Sequence, residues 1–250
     1  MELGLVSISF RGHSPEELIG AVKAAGLSCI EWGSDIHAPC NDTERLHQIA
    51  AMQKEAGITC CAYGTYFKLG KDAPEELLPY IRAAKLLGTR ILRLWCGTKG
   101  SRDYSPEELA LLYRDCRTAA KLAEKEGVIL CMECHNNTVT DWKESALTLM
   151  KAVDSSAFRM YWQPNQLRTV EENLAYAKLL APYTVHIHVF NWNCPDGKTL
   201  EKYSLAEAVD TWKDYMAHFP GEHGMLLEFM PDNNIASLNT EAAALRLIAE

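Results

Sequence analysis

Two hydrophobic periods alternate along the chain. A short apolar or β-branched run gives way to a polar loop, and then to a stretch whose apolar residues recur every three or four positions, the mark of an amphipathic helix. Eight such units follow one another. The strand-like runs lie at 4–9, 28–32, 58–63, 90–96, 128–134, 158–163, 184–190 and 225–229. The helical stretches lie at 15–25, 42–56, 74–87, 106–126, 141–153, 170–180, 205–219 and 240–249. Ser14-Pro-Glu-Glu17 and Ser105-Pro-Glu-Glu108 each supply a capping hydroxyl, a first-turn proline and a glutamate three residues after the cap. Gly26, Gly57, Gly88 and Gly127 stand where four helices should stop.

Strict strand–helix alternation predicts parallel strands joined by crossover helices. Eight repeats with no glycine-rich dinucleotide turn favour closure over an open sheet. The expected fold is therefore α/β, a single (β/α)8 TIM barrel forming one domain over residues 1–250. The length of 250 residues suits that architecture.

Composition narrows the function. Apolar residues make up 48% and charged residues 23% of the chain, and no run approaches the roughly 18 apolar residues of a membrane span, so no membrane partner is expected. The start, MELGLVSISF, has neither a basic leader nor a small-residue cleavage site, which points to a cytoplasmic location. The net charge is −8, and the Lys and Arg residues form no stripe, so nucleic acid is not an expected partner. Nine cysteines, mostly inside apolar runs, read as buried reduced thiols rather than a disulfide framework. Cys131 and Cys134 form a C-x-x-C, but three residues apart on a strand they point to opposite faces.

A barrel of this kind places its active site at the C-terminal strand ends. There the chain collects Arg11, Glu31, His37, Tyr66, Arg93, Trp95, Glu133, His135, Gln163, His186, His188, Trp192 and Glu228. Parity sorts them: Glu133 and His135 share one strand face while Leu130, Met132 and Cys134 share the other. His186 and His188 likewise oppose Val185, Ile187 and Val189. Glu133, Gln163, His188 and Glu228, from four strands at matching depth, make a mixed oxygen and nitrogen set suited to one divalent ion, Mn, Mg, Co or Zn. Trp162 has the wrong parity for the pocket and is assigned to packing.

The order Glu133, Gln163, His188, Glu228, with I-E-W-G-S-D-I-H (30–37), E-C-H-N-N-T (133–138), Y-W-Q-P-N (161–165) and H-V-F-N-W (188–192), resembles the xylose isomerase-like TIM-barrel superfamily, and within it the sugar phosphate isomerase/epimerase branch. The resemblance implies a metal held by these four residues, with Glu133 and Glu228 also acting as acid and base. It departs on the sixth strand, where Gln163 stands for the usual Asp. A neutral ligand should hold the metal more weakly and leave it a stronger Lewis acid.

The expected activity is isomerisation or epimerisation of a small sugar or polyol-derived carbonyl compound through an enediolate. His135, His186, Arg93, Tyr66, Trp95, Trp192, Glu31 and His37 form the expected substrate-binding set. Two alternatives stand beside it: a lyase that dehydrates a keto-inositol-like substrate, and a catalytically silent sugar-binding protein. The partner is a small-molecule sugar, and the sequence leaves room for a homo-oligomer.

Overall fold

The computed structural model describes residues 1–194, 196 and 198–250. Its strands are β1 (Glu2–Val6), β2 (Cys29–Gly33), β3 (Thr59–Leu69), β4 (Ile91–Cys96), β5 (Ile129–Glu133), β6 (Phe158–Trp162), β7 (Thr184–Val189), β8 (Trp192–Asn193), β9 (Glu201–Lys202) and β10 (Gly224–Leu227). The β1 strand pairs in parallel with both β2 and β10, and β10 pairs with β7, so the sheet closes in the order β1-β10-β7-β6-β5-β4-β3-β2. The remaining pair, β8 and β9, is a small antiparallel hairpin in the loop after β7. Outside the barrel run α1 (Pro15–Ala24), α2 (Thr43–Ala56), α3 (Leu78–Leu87), α4 (Pro106–Glu126), α5 (Lys143–Val153), α6 (Val170–Leu180), α7 (Val209–Met216) and α8 (Leu238–Ala249).

Local signals set these boundaries. Ser14 and Ser105 each accept a backbone N–H three residues on, and Glu17 and Glu108 return the bond to the capping residue. Gly57, Gly88 and Gly127 end their helices in the left-handed conformation. The C-x-x-C behaves as its parity requires. Cys131 packs inside the barrel with Val6, Cys29 and Tyr161, whereas Cys134 joins Leu130 and Met132 in the layer between sheet and helices. All nine cysteines are free thiols. Trp162 also faces outward, against Trp212 and Tyr215 at ring distances of 6.0 and 5.3 Å.

The helices expected at 74–87 and 205–219 open with 3-10 turns at Pro74–Leu77 and Leu205–Ala208, the β8–β9 hairpin is additional, and two barrel strands also differ from expectation. The first strand ends at Val6, and Ser7–Phe10 form a 3-10 turn. Serine hydroxyls take over the bonding there: Ser7 Oγ accepts from the amide of Gly33 at 2.9 Å, and Ser9 Oγ accepts from that of Phe229 at 2.8 Å. Conversely, β3 continues to Leu69, with a register shift against β4 between Gly64 and Lys68. That extension carries Tyr66 up to the barrel mouth.

Candidate active site

The floor of the site is a chain of buried charges. Arg93 on β4 donates from Nε to Glu31 Oε1 at 2.7 Å and from Nη1 to Glu133 Oε2 at 2.6 Å, and Trp95 Nε1 donates to the same Glu133 oxygen. His188 on β7 lies with Nε2 3.2 Å from Glu31 Oε2 and Nδ1 3.0 Å from Gln163 Oε1. The same Nδ1 is 3.5 Å from Glu133 Oε1 and from Glu228 Oε2. Three strand ends thus deliver oxygen atoms around Nδ1, and a fourth, that of β2, delivers Glu31 to Nε2.

Proton assignments follow from the partners. An ionised carboxylate only accepts, so Nε2 of His188 carries a proton toward Glu31 and Nδ1 is the nitrogen presented to the oxygens. Gln163 donates from Nε2 to the Cys134 carbonyl at 3.0 Å. That bond turns its amide oxygen, not its NH2, toward His188.

Burial opposes charge throughout this floor, and the partners decide the outcome. Glu31 would be raised by burial, but Arg93 and His188 bring it down to about 2. Glu133, equally buried, is held well below the usual carboxylate range, chiefly by Arg93. Burial instead prevails at Glu228, which is raised despite His188 and with help from Glu133. His188 resists its own burial because Glu228, Glu31 and Glu133 surround it, and it rises to about 10.

The three carboxylates around His188 outweigh its burial, so the cluster favours positive charge at its centre. Ligand atoms of Glu133, His188 and Glu228 all lie within 4.8 Å of one another, and the Gln163 oxygen joins them. Two hard carboxylate oxygens, an amide oxygen and an imidazole nitrogen with its far side held by a carboxylate fit a divalent ion.

Above the floor opens a cavity of about 200 Å³ lined by Arg93, Trp95, Glu133, His135, Gln163 and Glu228, with Tyr66 and Trp192 in its walls. This volume admits a small molecule. His135 lines this cavity and donates from Nδ1 to the Asn136 carbonyl at 2.7 Å. Phe229 has a φ of 53°, a left-handed conformation unusual for a bulky residue. Its ring lies 5.2 Å from that of Trp192, also in the cavity wall.

Three residues expected to bind substrate do not reach this cavity. Glu31 is fully buried beneath it, spent on Arg93 and His188. His186 lies lower in the barrel, where Nδ1 accepts from the Gly224 amide at 2.9 Å and Nε2 meets the Cys61 carbonyl at 3.3 Å. Correct parity put it inside the barrel, but one register step too deep. His37 is buried behind the first loop, between Ser7 Oγ at 3.1 Å and the His13 carbonyl at 3.2 Å. Outside the expected set, Asn165, Gln166 and Phe229 line the cavity, and Lys202 lies against the rings of Phe229 and Trp192 in its wall. Lys202 sits in a two-residue strand with no periodic signal, and only its alignment opposite Trp192 brings it to that wall.

Fold and site together define a closed (β/α)8 barrel with a cup of buried acidic groups at the C-terminal strand ends. Residues 19–248 match the model of the xylose isomerase-like TIM barrel family, and the chain belongs to that family. Its structure is similar to that of the probable 3-DHS dehydratase AsbF of Bacillus anthracis, with TM-score 0.85 and 21% identity over 98% of this chain and 99% of that one. It is also similar to D-psicose 3-epimerase from Clostridium cellulolyticum H10, with TM-score 0.73 and 14% identity over 100% and 98% of the two chains. A xylose isomerase-like TIM barrel protein from Mycobacterium smegmatis, solved in complex with magnesium, aligns with TM-score 0.72 and 11% identity over 99% and 96%. No curated protein matches the sequence. At these identities the structural likenesses establish the shared fold.

Proposed function

We propose that the protein is an enzyme that removes a proton from the carbon next to the carbonyl of a small polyhydroxylated compound and returns it to give an isomer or epimer. The observation that carries this reading is the convergence of Glu133, His188, Glu228 and the Gln163 amide oxygen on one point at the cavity floor. A divalent ion held there would supply Lewis acidity to the substrate carbonyl.

The chain's own groups divide the remaining work. Arg93 and Trp95 keep Glu133 ionised, so it serves as a ligand and is a poor proton acceptor. Glu228, raised by burial, is the better proton carrier. His135, which lines the cavity with Nδ1 held by the Asn136 carbonyl, is the second. Tyr66, Trp95 and Trp192 give the substrate flat walls and exclude water.

The inequality of the two glutamates favours a second reading, dehydration. Elimination shares the first proton abstraction and then needs an acid beside the departing hydroxyl, which unlike carriers such as Glu228 and His135 supply. Incubation of the manganese-loaded protein with a panel of hydroxylated ketones in deuterated buffer tests both. Deuterium at the carbon next to the carbonyl supports the isomerase, and an ultraviolet-absorbing enone supports the dehydratase. Ligand bound with neither outcome overturns both in favour of a silent binder.

A further inference from the structure

The charges of the floor balance once a divalent ion is in place: Glu133 and Glu228 match the ion, and Glu31 matches Arg93. Gln163, being neutral, adds nothing to the negative side. On the rim Arg11 is matched by Asp35. Lys202 is different. Its ammonium bonds the neutral side-chain oxygen of Asn233 at 3.0 Å and stands 4.8 and 5.7 Å from the ring centres of Phe229 and Trp192, both in the cavity wall. The carboxylates around it are engaged elsewhere: Glu201 takes the Tyr203 hydroxyl, Asp232 takes the Asn234 amide and the Ser237 hydroxyl, and Glu228, whose charge does reach Lys202, belongs to the cluster that would hold the ion. An ammonium set against two aromatic faces is held in place without being neutralised.

We propose that the ligand of this cavity carries an anionic group, a carboxylate or a phosphate, and that Lys202 on the β8–β9 hairpin receives it at the rim. This rests on the reading of the cavity as a substrate site and adds the class of substrate. The aromatic walls take the carbon skeleton, the floor takes the carbonyl end, and the anion points outward to Lys202. The hairpin has a reason for its place in this arrangement: pairing Trp192 with Lys202 presents a wall and a charge from one small element.

Calorimetric titration of the manganese-loaded protein with D-gluconate, D-ribulose 5-phosphate and neutral D-fructose tests the inference. At least one anion should bind about tenfold or more tightly than fructose, the value of one charge-assisted contact, and added salt should erode that advantage. Whichever anion prevails identifies carboxylate or phosphate. Lys202→Gln should remove the preference while fructose affinity stays level, and Lys202→Arg should retain most of it, with manganese stoichiometry confirming that each variant is folded. Equal affinity for fructose and both anions, no binding of any probe, or a preference that survives Lys202→Gln would overturn the proposal. Because binding is read and not turnover, the two claims fail separately. Anion binding without proton exchange removes only the proposed catalysis, and exchange into fructose with no anion preference removes only the role of Lys202.

Discussion

Glu31 Oε2 lies 3.2 Å from His188 Nε2, with both side chains sealed from solvent. The contact selects the tautomer of the imidazole and turns its other nitrogen toward Glu133, Gln163 and Glu228. Glu31→Gln keeps the volume and removes the charge that fixes this arrangement. Manganese affinity should fall by about ten- to a hundredfold, measured by titration of the metal-free variant. Unchanged affinity would mean that His188 is oriented by something else.

Removal of a ligand should be more severe. Wild-type protein is expected to bind about one divalent ion per chain, and His188→Ala or Glu228→Gln should reduce binding below detection in equilibrium dialysis followed by elemental analysis. Full stoichiometry in both variants would place the ion elsewhere.

Gln163→Asp brings a third carboxylate to the cluster and gives up the bond to the Cys134 carbonyl. Metal affinity should rise by about tenfold, while the metal-free variant loses about 1 kcal/mol of stability from the unpaired carbonyl. If affinity stays level with the fold intact, the residue at this position does not touch the ion.

The protonation of His188 makes the metal-free protein pH-sensitive. Its pKa is raised to about 10 in the folded state against 6.5 as the ordinary value. The stabilisation it confers is therefore complete below about pH 6.5 and declines as pH rises toward 10. Between pH 6.5 and about 8.5, before buried thiols begin to contribute, metal-free protein should lose on the order of 2 kcal/mol. Manganese should flatten this slope, because the ion takes the place of the proton. Thermal melts across that range with and without manganese make the comparison, and parallel slopes would contradict it.

His135 separates binding from proton transfer. If its Nε2 carries a proton, His135→Gln should lower kcat by about a hundredfold and leave metal stoichiometry intact. A rise in KM with unchanged kcat would assign it to hydroxyl orientation alone.

Much of this molecule was legible in the sequence because the barrel imposes two simple periods. The α4 and α6 helices occupy the expected residues, since a capping box starts each, and strand parity correctly separates Cys131 from Cys134 and Leu130 from Glu133. Depth along a strand is another matter. Parity says that His186 and His188 both face inward, but only the staggered register of β7 against β10 and β6 decides that one meets the glutamates and the other the Gly224 amide. Glu31 reads as a rim residue for the same reason. Lys202 was illegible because a hairpin, with no repeat of its own, carries it back against Trp192 and Phe229.

At Gly64 an added Cβ would come within 2.5 Å of Glu31 Oε1 and 2.8 Å of Arg93 Nη2. The Glu31–Arg93–Glu133 relay occupies the volume that any side chain there would need. A position with no functional group is thereby as restricted as the ligands themselves, and a saturation library read by metal retention should show Gly64 as intolerant as His188. For anyone reshaping this cavity toward a new substrate, freedom lies in the walls and the hairpin, while the path between β2 and β4 is already full.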